Sequence, residues 1–194
     1  MSFLIKILTS LILLFNYASY SNAKEVKLNE INNLKSKIFF MRHAIAPGFG
    51  DPKNFEINDC KTQRNLNELG ILQAKNIGKQ LKKNKIKFSK IFSSYWCRCY
   101  QTIKAMGIKE YELHQGLNSF YQNYFDKNKV LEDLKSLISY LDKNNGPYLF
   151  VTHYVVIGSY TKLFPSSGGI VVHDLNSLIN QTVVLENQQT KGGV

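Results

Sequence analysis

Lys37-Ile38-Phe39-Phe40-Met41-Arg42-His43-Ala44 decides how this chain is read. Its apolar core is short and does not alternate with polar residues, the pattern of a strand buried on both faces. The run stops at a guanidinium and an imidazole, so Arg42-His43 marks the strand's end. Residues 44–62 are rich in Pro, Gly, Asp and Asn and read as a long loop. Loops of that length inside a compact domain are commonly functional.

The same arrangement recurs twice. Residues 90–93 form a second strand signal, followed by Ser94 and Arg98, and residues 148–152 a third, ending at Thr152-His153. Helical spacing fills the intervals. Leu66, Leu69, Gln73, Ile77 and Leu81 share one face, with Asn67 as N-cap. Residues 96–106 form a helix ending near Gly107. Val130, Leu131, Leu134, Leu137, Ile138 and Leu141 are amphipathic, and Asn144-Asn145-Gly146-Pro147 stops them. A last helix covers residues 155–163. Residues 111–113, 170–173 and 177–184 read as further strands, and residues 24–36 as a polar lead-in helix or loop. Strand alternating with helix predicts an α/β fold: a single three-layer domain with a mostly parallel sheet flanked by helices.

Ligands of such sheets bind beyond the carboxyl ends of the strands. Arg42, His43, Arg98 and His153 are therefore expected to converge on one pocket. Two imidazoles and two guanidiniums without a carboxylate cluster suit a phosphoryl group, whose transfer spreads negative charge over its oxygens. The arginines would grip those oxygens through forked hydrogen bonds. One histidine would attack phosphorus, and the other would hold an oxygen as a cation. His114 and His173 lack such neighbours and read as structural. Metal-ligand spacings such as C-x-x-C or H-x-x-x-H are absent, so neither metal nor cofactor is expected.

Composition agrees with one folded domain: 194 residues, 44% hydrophobic and 20% charged. The formal net charge of +11 comes from lysines spread along the chain, not interleaved with stacking aromatics, so no nucleic-acid partner is expected. Only three residues are Arg: Arg42, Arg64 and Arg98. A lysine-rich chain that keeps three arginines marks places where a planar fork matters.

Residues 1–23 carry Lys6, an apolar run over residues 7–15 and a small-residue site, Ser21-Asn22-Ala23. That is the pattern of a secretory signal cleaved after Ala23, leaving residues 24–194 as the domain. The run is too short to span a bilayer, so no stable membrane insertion is expected once it is removed. Export to a bacterial periplasm or beyond would allow a disulfide. Cys60 with Cys97 is the preferred pair, since Cys97 and Cys99 are badly placed to bridge each other; three free thiols are the alternative.

Four ordered segments resemble the histidine phosphatase (phosphoglycerate mutase-like) superfamily. Phe40-Met41-Arg42-His43-Ala44 is similar to its Arg-His-Gly opening, and residues 64–74, beginning Arg64-Asn65-Leu66, to its R-x-L-T-x-x-G-x-x-Q-A helix. Residues 93–102 are similar to its S-S-x-x-x-R-x-x-x-T element, and Val151-Thr152-His153 to its T-H-x-x-x-I element. The resemblance implies His43 as nucleophile and Arg42, Arg98 and His153 as the phosphate pocket. It also implies Arg64 near the substrate, no required metal and a small phosphorylated substrate. Two departures stand out. Ala44 replaces a glycine, and Ser119 occupies the place where many relatives carry a proton-donating glutamate. Asp51, in the long loop, is the first candidate for a substitute acid, unless the leaving group needs little protonation. The expected function is an exported phosphatase acting through a phosphohistidine. A non-catalytic phosphate-binding module and a phosphomutase are the alternatives.

Overall fold

The computed structural model describes residues 24–186. The segment expected to be a signal, residues 1–23, lies outside them. Seven strands form one sheet: β1 (Glu25–Lys27), β2 (Lys37–Arg42), β3 (Lys90–Ser93), β4 (Glu112–Leu113), β5 (Tyr148–Thr152), β6 (Ile170–Asp174) and β7 (Asn180–Val184), in the order β1-β7-β6-β2-β5-β3-β4. β6 runs antiparallel to β2 and β7, and the remaining pairings are parallel. Four helices cover the sheet: α1 (Glu68–Lys83), α2 (Cys97–Ala105), α3 (Lys127–Ser139) and α4 (Tyr154–Thr161). The expected α/β class and mostly parallel sheet are found.

β2 shows why its run is continuously apolar. Strand side chains alternate between faces. Phe39 and Met41 enter one core with Ala74, Ile77 and Leu81 of α1 and Cys99 and Ile103 of α2. Ile38 and Phe40 enter the other with Val130 and Leu134 of α3 and Val156 and Ile157 of α4. Both faces are covered, so no position is left for a polar residue. Lys37, at the start of the strand, is buried and pairs with Asp174, its register partner on β6. That pairing holds the Asp174 carboxyl down at about 2, against the upward push of its burial.

The long loop between β2 and α1 is tied down at several points. Phe55 stacks on the Trp96 indole at 5.1 Å, and Cys60 and Cys97 are joined by a disulfide. α1 starts with Asn67 accepting from the Gly70 N–H (2.9 Å). Gly70 is required there: a Cβ would lie 2.0 Å from the Ile45 carbonyl oxygen, so only glycine lets the helix reach the segment leaving His43.

Two expectations need correction. Residues 24–36 are not merely a helical or loop lead-in, because Glu25–Lys27 pairs with β7 as an edge strand. The final strand also starts at Asn180, since residues 175–179 make the turn from β6, with Leu178 left-handed at φ 60°.

Candidate active site

Three strand ends meet. The His43 N–H donates to the Thr152 carbonyl (3.0 Å), joining the end of β2 to the end of β5. The Ser94 N–H donates to the Val151 carbonyl (3.0 Å), joining β3 to the same strand. Arg98 follows in the first turn of α2. Arg42, His43, Arg64, Arg98 and His153 together line a cavity of about 90 Å³, whose mouth carries Phe49, Tyr121 and Tyr154. That is roughly the room of three waters, at about 30 Å³ each. A larger hollow of about 260 Å³ at the β1 edge, lined by Lys24, Glu30 and Gln181 among others, contains no histidine.

The imidazoles lie 5.4 Å apart, edge to face, and both are buried. His43 Nδ1 is 2.8 Å from the Ala44 carbonyl oxygen. A carbonyl only accepts, so Nδ1 carries the hydrogen and, in the neutral ring, Nε2 keeps its lone pair. Burial pushes the His43 pKa well below its ordinary value, with the Arg98 charge adding to the effect. His153 is lowered in the same way, by burial and then Arg98. Burial and the arginine field thus work against the cationic form expected of the second histidine. An incoming phosphate dianion would oppose the arginine field and favour protonation.

His153 is held by a short polar chain. Ser94 Oγ donates to Asn118 Oδ1 (3.2 Å), which leaves Ser94 to accept from His153 Nε2–H at 3.0 Å. Asn118 Oδ1 also accepts from the Tyr95 N–H (2.9 Å), which fixes the amide.

The guanidiniums are positioned by different means. Arg42 donates to the Pro165 carbonyl (3.2 Å) and lies 5.1 Å above the Tyr154 ring. Arg64 donates through Nε to the Gly50 carbonyl (2.9 Å) and through Nη1 to the Ala46 carbonyl. Arg98 is forked onto Asp51, with Nη1 to Oδ1 at 2.8 Å and Nη2 to Oδ2 at 3.2 Å. The Nε atoms of Arg42 and Arg98 are buried without an acceptor.

Asp51 is placed differently from the expected proton donor. It does not line the cavity. Its carboxylate accepts from Arg98, from Trp96 Nε1 (3.0 Å) and from the Arg64 N–H (3.0 Å). Burial alone would raise its pKa, but the hydrogen bonds and charge of Arg98 bring it below the usual value. A carboxylate kept ionised and facing arginine positions that arginine and has no proton to give. Ser119 does line the cavity, with its Oγ accepting from the Tyr121 N–H (3.2 Å).

Ala44 is accommodated without a left-handed backbone. Its φ is not positive, and its N–H donates to Thr102 Oγ1 (2.9 Å). Sequence reading missed the Asp51 clamp on Arg98, the Ser94–Asn118 support of His153, and the aromatic mouth. Ser94 and Thr102 stand inside the quoted motif segments, so a signal for them existed. The loop contacts left none.

Among the described residues no group of three or more His, Cys, Asp or Glu is arranged to hold a metal ion. Nor is any helix there long and apolar enough to cross a membrane.

Fold and pocket together define an α/β protein whose sheet presents paired histidines and arginines at its carboxyl edge. The model of the histidine phosphatase superfamily (branch 1) matches residues 38–124. Over those residues the chain is similar to that superfamily. Solved structures share its fold. The protein histidine phosphatase SixA, complexed with tungstate, is 18% identical, with a TM-score of 0.54 over 75% of this chain and 93% of that one. The product of open reading frame Rv3214 of Mycobacterium tuberculosis is 16% identical, with a TM-score of 0.55 over 77% and 96%. A phosphoserine phosphatase from Entamoeba histolytica, in complex with 3-phosphoglyceric acid, is 18% identical, with a TM-score of 0.51 over 79% and 98%. No curated protein matches the sequence.

Proposed function

We propose that this chain is a phosphatase that hydrolyses a phosphomonoester or phosphoramidate through a phosphohistidine on His43. The observation that carries the reading is the His43 tautomer. Nδ1–H is committed to the Ala44 carbonyl, so the Nε2 lone pair is the nucleophile in a cavity ringed by guanidiniums. Phosphoryl oxygens would supply acceptors for Arg42 and Arg98, whose buried Nε atoms lack them. A bond forms from Nε2 to phosphorus, and the bond to the leaving atom breaks with its electron pair. Water then attacks phosphorus, and the pair of the P–N bond returns to the ring. Arg64 faces the substrate side, and the Cys60–Cys97 bond steadies the loop that carries it. The family-model match over residues 38–124 and the two named phosphatases among the structural neighbours support the reading. Removal of residues 1–23 and action outside the cytoplasm are part of the proposal, resting on the signal pattern and the disulfide.

One observation favours a phosphate-binding module instead: no carboxylate lines the cavity to protonate a leaving group. Phosphate release from a panel of monoesters and phosphoramidate, with and without EDTA, separates the two. Turnover that persists in EDTA and disappears in His43→Ala supports the phosphatase. Binding of phosphate without turnover of any substrate supports the module.

A further inference from the structure

All 14 Asp and Glu residues of this chain fall between Glu25 and Glu186, inside the described region. None lines the cavity. Ser119 is among the lining residues, its hydroxyl engaged as an acceptor for the Tyr121 N–H. The Asp51 carboxylate is turned onto Arg98 and Trp96. Whatever leaves phosphorus here must leave without a carboxylic acid from the protein.

The mouth of the same cavity is aromatic. Phe49 stands between Gly48 (φ 94°) and Gly50 (φ 64°), two left-handed positions that push it outward until it is 91% exposed. Its ring meets Tyr121 edge to face, with centroids 6.1 Å apart. Tyr154 forms the other wall beneath Arg42, at 5.1 Å. Three rings around the opening of the cavity supply apolar, aromatic contact for the group the phosphate carries.

We propose that the substrates are aryl phosphates, whose planar ring is held by Phe49, Tyr121 and Tyr154 and whose phenolate leaves unprotonated. The inference rests on the phosphatase reading above and narrows it. Leaving-group chemistry joins the two observations. A tyrosine-type phenol has a pKa of about 10. An alkanol is a far weaker acid, close to bulk water. Expelled without an acid, the phenolate is the better leaving group by several orders of magnitude. In the first step the His43 Nε2–P bond forms, the P–O(aryl) bond breaks, and the electron pair stays on the phenolate oxygen. That oxygen takes a proton from water after release. In the second step water cleaves the P–N bond, giving inorganic phosphate and regenerating the imidazole.

The test compares phenyl, benzyl and glycerol phosphates and phosphoramidate on the wild-type protein, Phe49→Ala, Tyr121→Leu, Tyr121→Phe and His43→Ala. Benzyl phosphate has a ring but an alkyl leaving oxygen, so it separates ring binding from leaving-group basicity. The expected kcat for phenyl phosphate exceeds that for benzyl phosphate at least about 100-fold, the lower range of what a general acid supplies. Phenyl and benzyl phosphates share a KM below that of glycerol phosphate. Phe49→Ala and Tyr121→Leu raise KM for the ring substrates by about 3- to 10-fold relative to glycerol phosphate. Tyr121→Phe restores the wild-type value, which assigns the effect to the ring and not the hydroxyl. Equal kcat for phenyl, benzyl and glycerol phosphates overturns the inference and leaves the phosphatase reading standing. Turnover of phosphoramidate alone does the same. Absence of turnover on every substrate, or turnover undiminished in His43→Ala, overturns both.

Discussion

His43 is set up for attack by one hydrogen bond to its own neighbour's carbonyl, and Arg98 by a carboxylate 47 residues earlier in the chain. The second contact changes what Asp51 is for. If Asp51 positions Arg98, Asp51→Asn lowers kcat/KM by roughly 100-fold, the scale of a misplaced binding group, and by the same factor for good and poor leaving groups. A proton donor would instead lose most on poor leaving groups, and a leaving-group series reads the difference. The histidines carry a pH signature. Their folded pKa values lie well below the ordinary one, because of burial and then Arg98. Below about pH 6.5 the unfolded chain takes up protons at these positions while the folded chain does not, so stability is present above that pH and falls as pH drops through it. Thermal melts from pH 7.5 to 5.5 should show this decline, shallower in His43→Gln. An unchanged slope would mean that His43 protonates equally in both states. Arg42, His43, Arg98 and His153 were legible because each stands at or just beyond a strand end. Asp51 stood out only as a candidate acid and not as the partner of Arg98, since no local pattern records which distant guanidinium a loop carboxylate will meet.

The disulfide acts between elements, linking the loop that bears Asp51 and Arg64 to the first residue of the helix that bears Arg98. Its sulfurs close 37 residues of sequence separation. Removing that constraint from the unfolded chain costs about 4 kcal/mol in the chain-entropy account. Cys60→Ser/Cys97→Ser should lower unfolding free energy by up to that amount in urea titrations, and reduction of the wild type should reproduce the loss. No difference between oxidised and reduced protein would remove the bond from the stability of this fold. The longer elements were readable for a plain reason: β2, β5, α1 and α3 each repeat their period often enough to show it. β1 was not, because an edge strand of three residues with only Val26 buried has no period to display. The β6–β7 turn was blurred because a polar segment beside a strand looks like more strand until its hydrogen bonds are known.

Over the whole molecule, strand order could not be read from local pattern. The antiparallel β6 sits beside β2 at the centre of the sheet, held in register by Lys37 and Asp174, and each residue taken alone looks like an ordinary surface charge. The net charge of +11 is a weaker guide to function than three arginines, all of which line one cavity. The aromatic mouth belongs to this scale too, since Phe49, Tyr121 and Tyr154 come from three separate segments that only the fold assembles. The central claim is covalent: phosphate passes through His43. Turnover of phenyl phosphate quenched with denaturant at alkaline pH, followed by mass spectrometry of the digested protein, tests it directly. The expected result is a phosphoryl group on the peptide carrying His43, seen at short times, lost on acidification and missing in His43→Ala. A phosphoryl group on another residue, or turnover undiminished in His43→Ala, would contradict it.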